Sequence, residues 1–131
     1  MPSITPLRGR EITRTLNGTS DVFSRPGGRA TGRSFTSGMI RPSRLRNLRE
    51  CGLETLVITG VSTNNSVEAT VRMAGNLGFQ SYLVADACFT FARRDFHGRL
   101  RTADEVHSMS LANLHEEYCT VLDTAAVLAD K

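Results

Sequence analysis

The sequence predicts an α/β domain built on a parallel sheet. Two apolar stretches, residues 53–61 and 79–86, are nearly continuous in hydrophobicity, which is typical of strands buried on both faces. Between them, residues 64–76 carry one apolar helical stripe. Strand, helix and strand follow one another within about 33 residues and so form a βαβ unit, whose crossover is right-handed in nearly all proteins. The stripe consists of Val67, Val71 and Ala74.

A helix is predicted to precede the βαβ unit. Pro42 followed by Ser43 suits a helix start, because proline is tolerated in the first turn, and Gly52 suits its end. The face of this helix that turns towards the core is predicted to hold Leu45, Leu48 and Cys51.

The last third of the chain continues the alternation of strands and helices. Residues 87–101 mix aromatic and charged side chains and predict a long ordered loop. Thr102 and Glu105 form a capping box, which opens a helix that runs to about Tyr118. Residues 120–123 predict a third strand and residues 124–129 a short final helix. The inward face of the capped helix is predicted to hold Val106, Met109 and Leu111 or Leu114.

The front of the chain differs in composition from the rest. Residues 1–50 hold ten arginines against three acidic residues, whereas residues 51–131 hold five arginines and one lysine against ten. Residues 1–40 have too little apolar surface to offset their ordering entropy. We therefore expect a basic, flexible N-terminal arm over residues 1–40 and an α/β domain over residues 41–131. The alternative for the arm is a short strand around Ile12 or Val22.

Length, composition and cysteine usage bound the class of protein. A chain of 131 residues has the size of one domain. The sequence contains neither an apolar stretch that could span a membrane nor an apolar run behind the first basic residues, so neither a membrane protein nor a secretory signal is expected. Three widely spaced cysteines indicate reduced thiols and a cytoplasmic protein.

His107 and His115 lie about two helical turns apart, too far for a helical zinc pair, so we expect no metal site and no cofactor.

The turn Ser-Thr-Asn-Asn-Ser at residues 62–66 is the predicted site. It follows the first buried strand, and ligands of parallel sheets gather beyond the carboxyl ends of the strands. It also begins a helix, where unpaired N–H groups and the helix dipole favour an anion or oxyanion. A hydroxyl at Ser66 beside those donors is the arrangement of an acyl-transfer nucleophile. Simple helix capping by the same residues is the alternative.

One longer pattern runs through the βαβ unit. It comprises Gly-Val-Ser-Thr-Asn-Asn-Ser-Val-Glu-Ala-Thr-Val-Arg-Met-Ala at residues 60–74, Gly-Phe at 78–79 and Val-Ala-Asp-Ala at 84–87. This pattern resembles the isochorismatase-like cysteine hydrolase superfamily, and residues 105–114 are similar to one branch of it, so the match covers about residues 41–129. The resemblance implies a Rossmann-like, three-layer α/β/α sandwich, here without the family's first strands. It also implies hydrolysis of small amides or, in some members, of a vinyl ether.

The resemblance further implies which residues act. Family members use a cysteine nucleophile on the turn, an aspartate base after the first strand, and a lysine that helps to activate the cysteine. By position, Ser66 stands in place of the cysteine, a cis peptide bond joins Val61 to Ser62, and the amides of Ser62 and Ser66 form the oxyanion hole. The pattern is not matched at the other two positions, because the only lysine is Lys131 and the only aspartate before the turn is Asp21.

Candidate site residues therefore come from the turn and from acids and histidines elsewhere. A serine hydroxyl needs a well-placed base, and Asp86, predicted at the end of the adjacent strand, is the candidate carboxylate, with a structural cap as its alternative role. The oxyanion and substrate contacts are assigned to Ser62, Thr63, Asn64 and Asn65. The other visible bases and carboxylates are His97, His107, His115, Asp95 and Glu68.

Three functions follow from these observations. The first is hydrolysis of a small amide or related C–N bond, with weak or lost activity as a variant of it. The second is a catalytically inactive binding or assembly module that keeps the fold. The third is nucleic-acid contact through the arginine-rich arm, although that arm holds no known nucleic-acid motif, so nucleic acid is not the expected partner. The expected partners are a small-molecule substrate or anion and a second copy of the chain, because loss of the first strands would expose a sheet edge.

Overall fold

The computed structural model describes residues 13–15, 21–24 and 42–129. A five-stranded sheet has the spatial order β1-β2-β3-β4-β7, and β5 and β6 form a separate antiparallel pair. The strands are β1 (Thr13–Thr15), β2 (Asp21–Ser24), β3 (Thr55–Val61), β4 (Gln80–Phe89), β5 (Arg93–Arg94), β6 (Leu100–Arg101) and β7 (Thr120–Leu122). The helices are α1 (Pro42–Glu50), α2 (Glu68–Asn76), α3 (Ala103–Leu114) and α4 (Thr124–Leu128). A π-helical segment, Thr63–Val67, joins β3 to α2 and is called the π turn below.

The centre of the sheet is parallel, with β4 paired to β3 on one side and to β7 on the other. Because side chains alternate along a strand, Leu56 and Ile58 enter one apolar cluster and Val57 enters a second cluster on the opposite face. Helices α1, α2 and α3 supply residues to the first cluster, and α4 packs Val127 against the second. The predicted α/β class and the double burial of the first strand are confirmed.

The helix of the βαβ unit packs through the predicted stripe. Val67, Val71 and Ala74 are all fully buried. The regular α-helix starts at Glu68, later than predicted, because the preceding residues form the π turn. It ends where predicted: Gly78 has a φ of 79°, and the Phe79 N–H reaches the Ala74 carbonyl at 3.0 Å. This bond is typical of a helix that stops at a left-handed glycine.

The first helix has the predicted bounds but a narrower buried face. Leu45 is fully buried and Leu48 is partly buried, whereas Cys51 is exposed. The expectation that Cys51 faces the core is therefore wrong. The helix ends at Glu50, so Cys51 lies beyond its last residue. The chain then turns at Gly52, whose φ is 81°.

The second strand of the unit is longer than the sequence indicated. It continues to Phe89, and its register with β3 shifts between the pairs Ile58–Leu83 and Gly60–Cys88. A bulge absorbs the additional β4 residues between these pairs. Asp86 therefore lies within the irregular part of the strand and not at its end, which corrects the predicted position.

The predicted loop over residues 87–101 contains a small hairpin. The tip is organised by Asp95, whose carboxylate oxygen Oδ1 accepts the N–H groups of His97 and Arg99, each at 3.0 Å. Its other oxygen, Oδ2, accepts the Arg101 Nε–H at 2.9 Å. This single carboxylate thus joins both sides of the hairpin, which the mixed composition of the segment did not reveal.

The capping box of α3 is confirmed. Thr102 Oγ1 accepts the Glu105 N–H at 3.2 Å, and Glu105 Oε2 accepts the Thr102 N–H at 2.7 Å. The helix ends at Leu114 and not near Tyr118, because the chain turns through Glu116, whose φ is 67°. Leu114 is fully buried, which agrees with one of the two predicted alternatives, Leu111 or Leu114. The expected inward position of Met109 is wrong, since its side chain is 64% exposed.

Two short segments of the predicted arm belong to the sheet. The strand β2 contains Val22 and runs antiparallel to β3, with Asp21 opposite Thr59 and Phe23 opposite Val57. The backbone edge of β3 can pair with any extended chain, so this pairing needs no apolar pattern. The sheet edge expected to be exposed is covered here by β2, which corrects that expectation. Ile12 and the remaining residues of the arm lie outside the described residues, and for them the flexible arm stays a prediction.

Two negative findings apply to residues 13–15, 21–24 and 42–129. None of their helices is long and apolar enough to cross a membrane. No group of three or more His, Cys, Asp or Glu side chains within the same ranges is placed to hold a metal ion.

Replacing Ile58 with alanine should lower the free energy of unfolding by about 2–5 kcal/mol, because its side chain is fully buried between β4 and the helices of the larger cluster. The control is Leu100→Ala, which removes a leucine that is 60% exposed and should change stability by less than about 0.5 kcal/mol. Urea denaturation followed by circular dichroism measures both. Equal losses for the two variants would contradict the assigned core.

Candidate active site

The π turn lies at the carboxyl end of β3, in the position predicted for the site. A cis peptide bond joins Val61 to Ser62, as the resemblance implied. The Ser62 carbonyl accepts two N–H groups, from Asn65 at 3.1 Å and from Val67 at 3.3 Å. The first N–H groups of a helix have no acceptor within the helix itself. Their dipoles therefore favour a negative charge at this edge of the sheet.

Ser66 sits in the π turn with its side chain directed back towards the strand. Its Oγ donates a hydrogen bond to the Val61 carbonyl at 3.1 Å, and its own carbonyl accepts the Thr70 hydroxyl at 2.8 Å. Thr70 is fully buried, whereas Ser66 is partly exposed. The hydroxyl is thus held near the strand end while remaining within reach of solvent.

Thr63 is fully buried and connects the π turn to α3. A hydrogen bond of 2.8 Å joins its Oγ1 to His107 Nδ1. The Ser110 hydroxyl lies 2.6 Å from Glu68 Oε2 and 3.1 Å from the Thr63 carbonyl, and it donates to either of them. The Thr63 side chain, which was predicted to contact substrate, therefore faces α3.

The other predicted turn residues lie closer to the surface. Asn64 Oδ1 accepts the hydroxyls of Ser62, at 3.3 Å, and of Thr90 beyond β4. This links the π turn to the segment after the neighbouring strand. Asn65 is exposed. Of the four predicted contact residues, Asn65 is the one most accessible to a ligand.

The carboxylate of Asp86 binds Thr124 and not Ser66, the neighbour predicted for it. Its Oδ1 accepts both the backbone N–H of Thr124, at 2.8 Å, and the Thr124 hydroxyl, at 2.9 Å. The carboxylate therefore holds the first residue of α4, which is the capping role given as its alternative. The β4 bulge is the physical reason, because it displaces Asp86 from the register that placed it beside Ser66.

The remaining candidate bases also have partners elsewhere. Glu68 pairs with Arg72 at 2.9 Å, and His115 Nδ1 accepts the Val121 N–H at 3.0 Å. Burial works against ionisation of Asp95, but hydrogen bonds from Arg101 and from two backbone N–H groups outweigh it and lower the pKa of Asp95. The His97 ring packs edge-on against Phe96 at the hairpin. These groups serve the fold at the positions where the structure places them.

None of the three cysteines belongs to the π turn. Burial raises the pKa of Cys88 to about 11 and the pKa of Cys119 to about 12. Cys51 is exposed at the end of α1. A thiol nucleophile is thus absent from the described part of the turn, as the substitution by Ser66 indicates.

The sequence analysis missed the contribution of α3 to this site. His107, Ser110 and Leu114 follow one another at i, i+3 and i+7, so they share a helix face. This spacing was the signal in the sequence, because the polar residues His107 and Ser110 share the helix face of the apolar Leu114.

The chain matches the isochorismatase domain model over residues 25–126, which begins earlier than the residue 41 expected. The isochorismatase family protein YrdC of Bacillus subtilis (strain 168), itself uncharacterized, is 44% identical over 78 residues, which are 60% of this chain and 42% of YrdC.

Solved structures are similar over a comparable part. A protein of the isochorismatase family from Chromobacterium violaceum is 51% identical, with a TM-score of 0.70 over 79% of this chain and 55% of its own. An isochorismatase from Pseudomonas putida is 25% identical, with a TM-score of 0.63 over 76% of this chain and 53% of its own. The chain thus spans about half the length of the relatives it matches.

Replacing Ser110 with alanine should lower the free energy of unfolding by about 1–3 kcal/mol, because Glu68 and the Thr63 carbonyl lose a buried donor. Ser108→Ala removes an exposed hydroxyl from the same helix and should change stability by less than about 0.5 kcal/mol. Chemical denaturation of both variants tests the difference. Equal stabilities would show that α3 does not hold the π turn through Ser110.

Thiol labelling should distinguish the three cysteines. At about pH 8 only Cys51 should react quickly with iodoacetamide in the folded protein, because Cys88 and Cys119 are buried and their raised pKa values leave very little thiolate. All three should react after unfolding in denaturant. The control Cys51→Ser should show no fast labelling. Rapid modification of two thiols in the native state would contradict the buried assignment.

Proposed function

Because the chain belongs to the isochorismatase family, we propose that it is a hydrolase of a small amide or related C–N bond, with Ser66 as its nucleophile. The parallel sheet with helices on both faces is the fold of that family, as the sequence predicted. The substrate class and the role of Ser66 are the proposal. The observation that carries it is the Ser66 hydroxyl on a helical turn directly after β3, 3.1 Å from the Val61 carbonyl.

The proposed chemistry is acyl transfer. The Ser66 oxygen attacks the amide carbonyl and its proton passes to the amide nitrogen, so that the C–N bond breaks as ammonia or an amine leaves. Water then hydrolyses the resulting ester, which releases the carboxylic acid and returns a proton to the Ser66 oxygen. The backbone N–H groups of Ser62 and Ser66 stabilise the negative oxygen that develops during attack, since fixed N–H dipoles act strongly on such charge. Asn64 and Asn65 are the substrate contacts, and of these Asn65 is already exposed.

A second candidate is a catalytically inactive module that binds a small anion at the same turn. The observation in its favour is that three groups suited to activate a serine have partners elsewhere. Glu68 pairs with Arg72, Asp86 holds Thr124, and His107 bonds to Thr63. A serine hydroxyl without a base is a weak nucleophile, so this candidate keeps the fold and the anion-favouring turn but not the turnover.

Location and assembly are part of the proposal. Free cysteines support action in the cytoplasm, where thiols stay reduced. Exposed aromatic side chains at Phe89, Phe91 and Phe96 support self-association, because such residues are usually covered by a partner.

Release of ammonia from a panel of small primary amides tests the proposal. The wild-type chain should turn over at least one of them, and Ser66→Ala should reduce that rate by about a thousandfold or more. Ser108→Ala, an exposed serine on α3, should keep the wild-type rate. Equal rates for wild type and Ser66→Ala would contradict the nucleophile. Wild-type rates equal to the buffer blank for every amide would favour the inactive module.

A further inference from the structure

We propose that a cavity between α3, the β5–β6 hairpin and the π turn binds a small organic oxyanion that also carries an apolar group. The cavity has a volume of about 700 Å³, within the range of small-molecule sites. Asn64 lines it from the π turn, and Arg93 and Arg94 line it from β5. Ser66 is not among the described residues that line it. Asn64 is shared with the proposed substrate contacts, but the binding argued here comes from the arginines of β5 and the apolar row of α3, and does not depend on turnover at Ser66.

The three acidic side chains of the cavity each lie close to an arginine, and two of them share Arg101. Asp95 pairs with Arg101 at 2.9 Å, and Glu105 lies 3.5 Å from the same guanidinium while it caps α3. Glu68 pairs with Arg72 at 2.9 Å and is also close to the Ser110 hydroxyl. Each negative charge that lines the cavity therefore has a cationic partner.

The arginines of β5 have no such compensation. Arg94 Nη1 donates to the neutral carbonyl of Gly98 at 2.8 Å. Arg93 makes no hydrogen bond or ion pair within residues 42–129. It lies directly opposite Arg101 in the hairpin register, but the carboxylates of Asp95 and Glu105 are engaged by Arg101. Arg93 is thus a guanidinium with which no described carboxylate pairs, so the lining favours a ligand with a negative group.

The α3 side of the cavity contains an apolar row among polar residues. Val106, Met109 and Ala112 succeed one another at intervals of three along the helix, and all three line the cavity. Met109 is 64% exposed, so its side chain is accessible to a ligand in the cavity. A ligand that placed an apolar body on this helix and its charge near β5 would satisfy both walls. A carboxylate or phosphate ester of modest size has this chemistry.

Benzoate tests the charge and the apolar body together. Calorimetric titration of the full chain should show saturable benzoate binding. Two comparison ligands separate the contributions: benzyl alcohol keeps the ring without the charge, and inorganic phosphate keeps a charge without the ring. Benzoate should bind at least about tenfold more tightly than either, because a charge-assisted hydrogen bond and buried apolar area each contribute about that factor. Absence of saturable benzoate binding would overturn the proposal, as would equal affinity for all three ligands.

Variants locate the binding on the protein. The double change Arg93→Gln with Arg94→Gln should weaken benzoate binding about tenfold or more, and Met109→Ala should weaken benzoate but not phosphate. Arg99→Gln is the matched control, because Arg99 is an exposed arginine of the same hairpin that is not among the described lining residues. Ser66→Ala should bind benzoate as the wild type does, whatever its effect on ammonia release. Wild-type affinity in a double variant whose thermal unfolding is unchanged would overturn the assignment, and so would an equal loss in Arg99→Gln.

Discussion

The pairing of β3 with β4 is the constraint on which the rest of the structure depends. Both strands are buried on two faces, so their register is tightly specified: a slip by one residue would exchange the side chains of the two clusters. The bulge between the Leu83 and Cys88 positions then sets how the carboxyl ends of the two strands are aligned. The π turn follows β3 at this edge of the sheet, and Asp86 lies in the irregular part of β4, where its carboxylate holds Thr124.

The π turn is held from its other side by α3. Buried polar groups must find partners, and Thr63 finds them in His107 and Ser110 of that helix. The same helix lines the cavity and places an apolar row there that includes the exposed Met109. α3 therefore supports one anion-favouring feature, the turn, while forming part of another, the arginine-lined cavity. The two are neighbours through Asn64, yet their chemistry differs: backbone N–H groups in one and guanidinium groups in the other.

Membership of the isochorismatase family explains the geometry of the turn better than its chemistry. The fold and the cis bond agree with the family pattern in residues 60–74, whereas Ser66 departs from it, because the pattern has a cysteine there. The buried thiols of Cys88 and Cys119 are held neutral by their raised pKa values and lie outside the turn. Glu68 pairs with Arg72, Asp86 holds Thr124 and His107 bonds to Thr63, and these structural contacts favour the second candidate, the inactive module.

Local chemistry determined much of this structure from the sequence by itself. The strand–helix–strand periodicity, the Thr102–Glu105 capping box and the glycine ends at Gly52 and Gly78 involve residues a few positions apart, so their physics is contained in short segments. Tertiary structure alone decided the antiparallel addition of β2, the β4 bulge, the Thr124 partner of Asp86 and the exposure of Met109. Each of these depends on which distant backbone or side chain lies opposite, and a one-dimensional pattern carries no record of that.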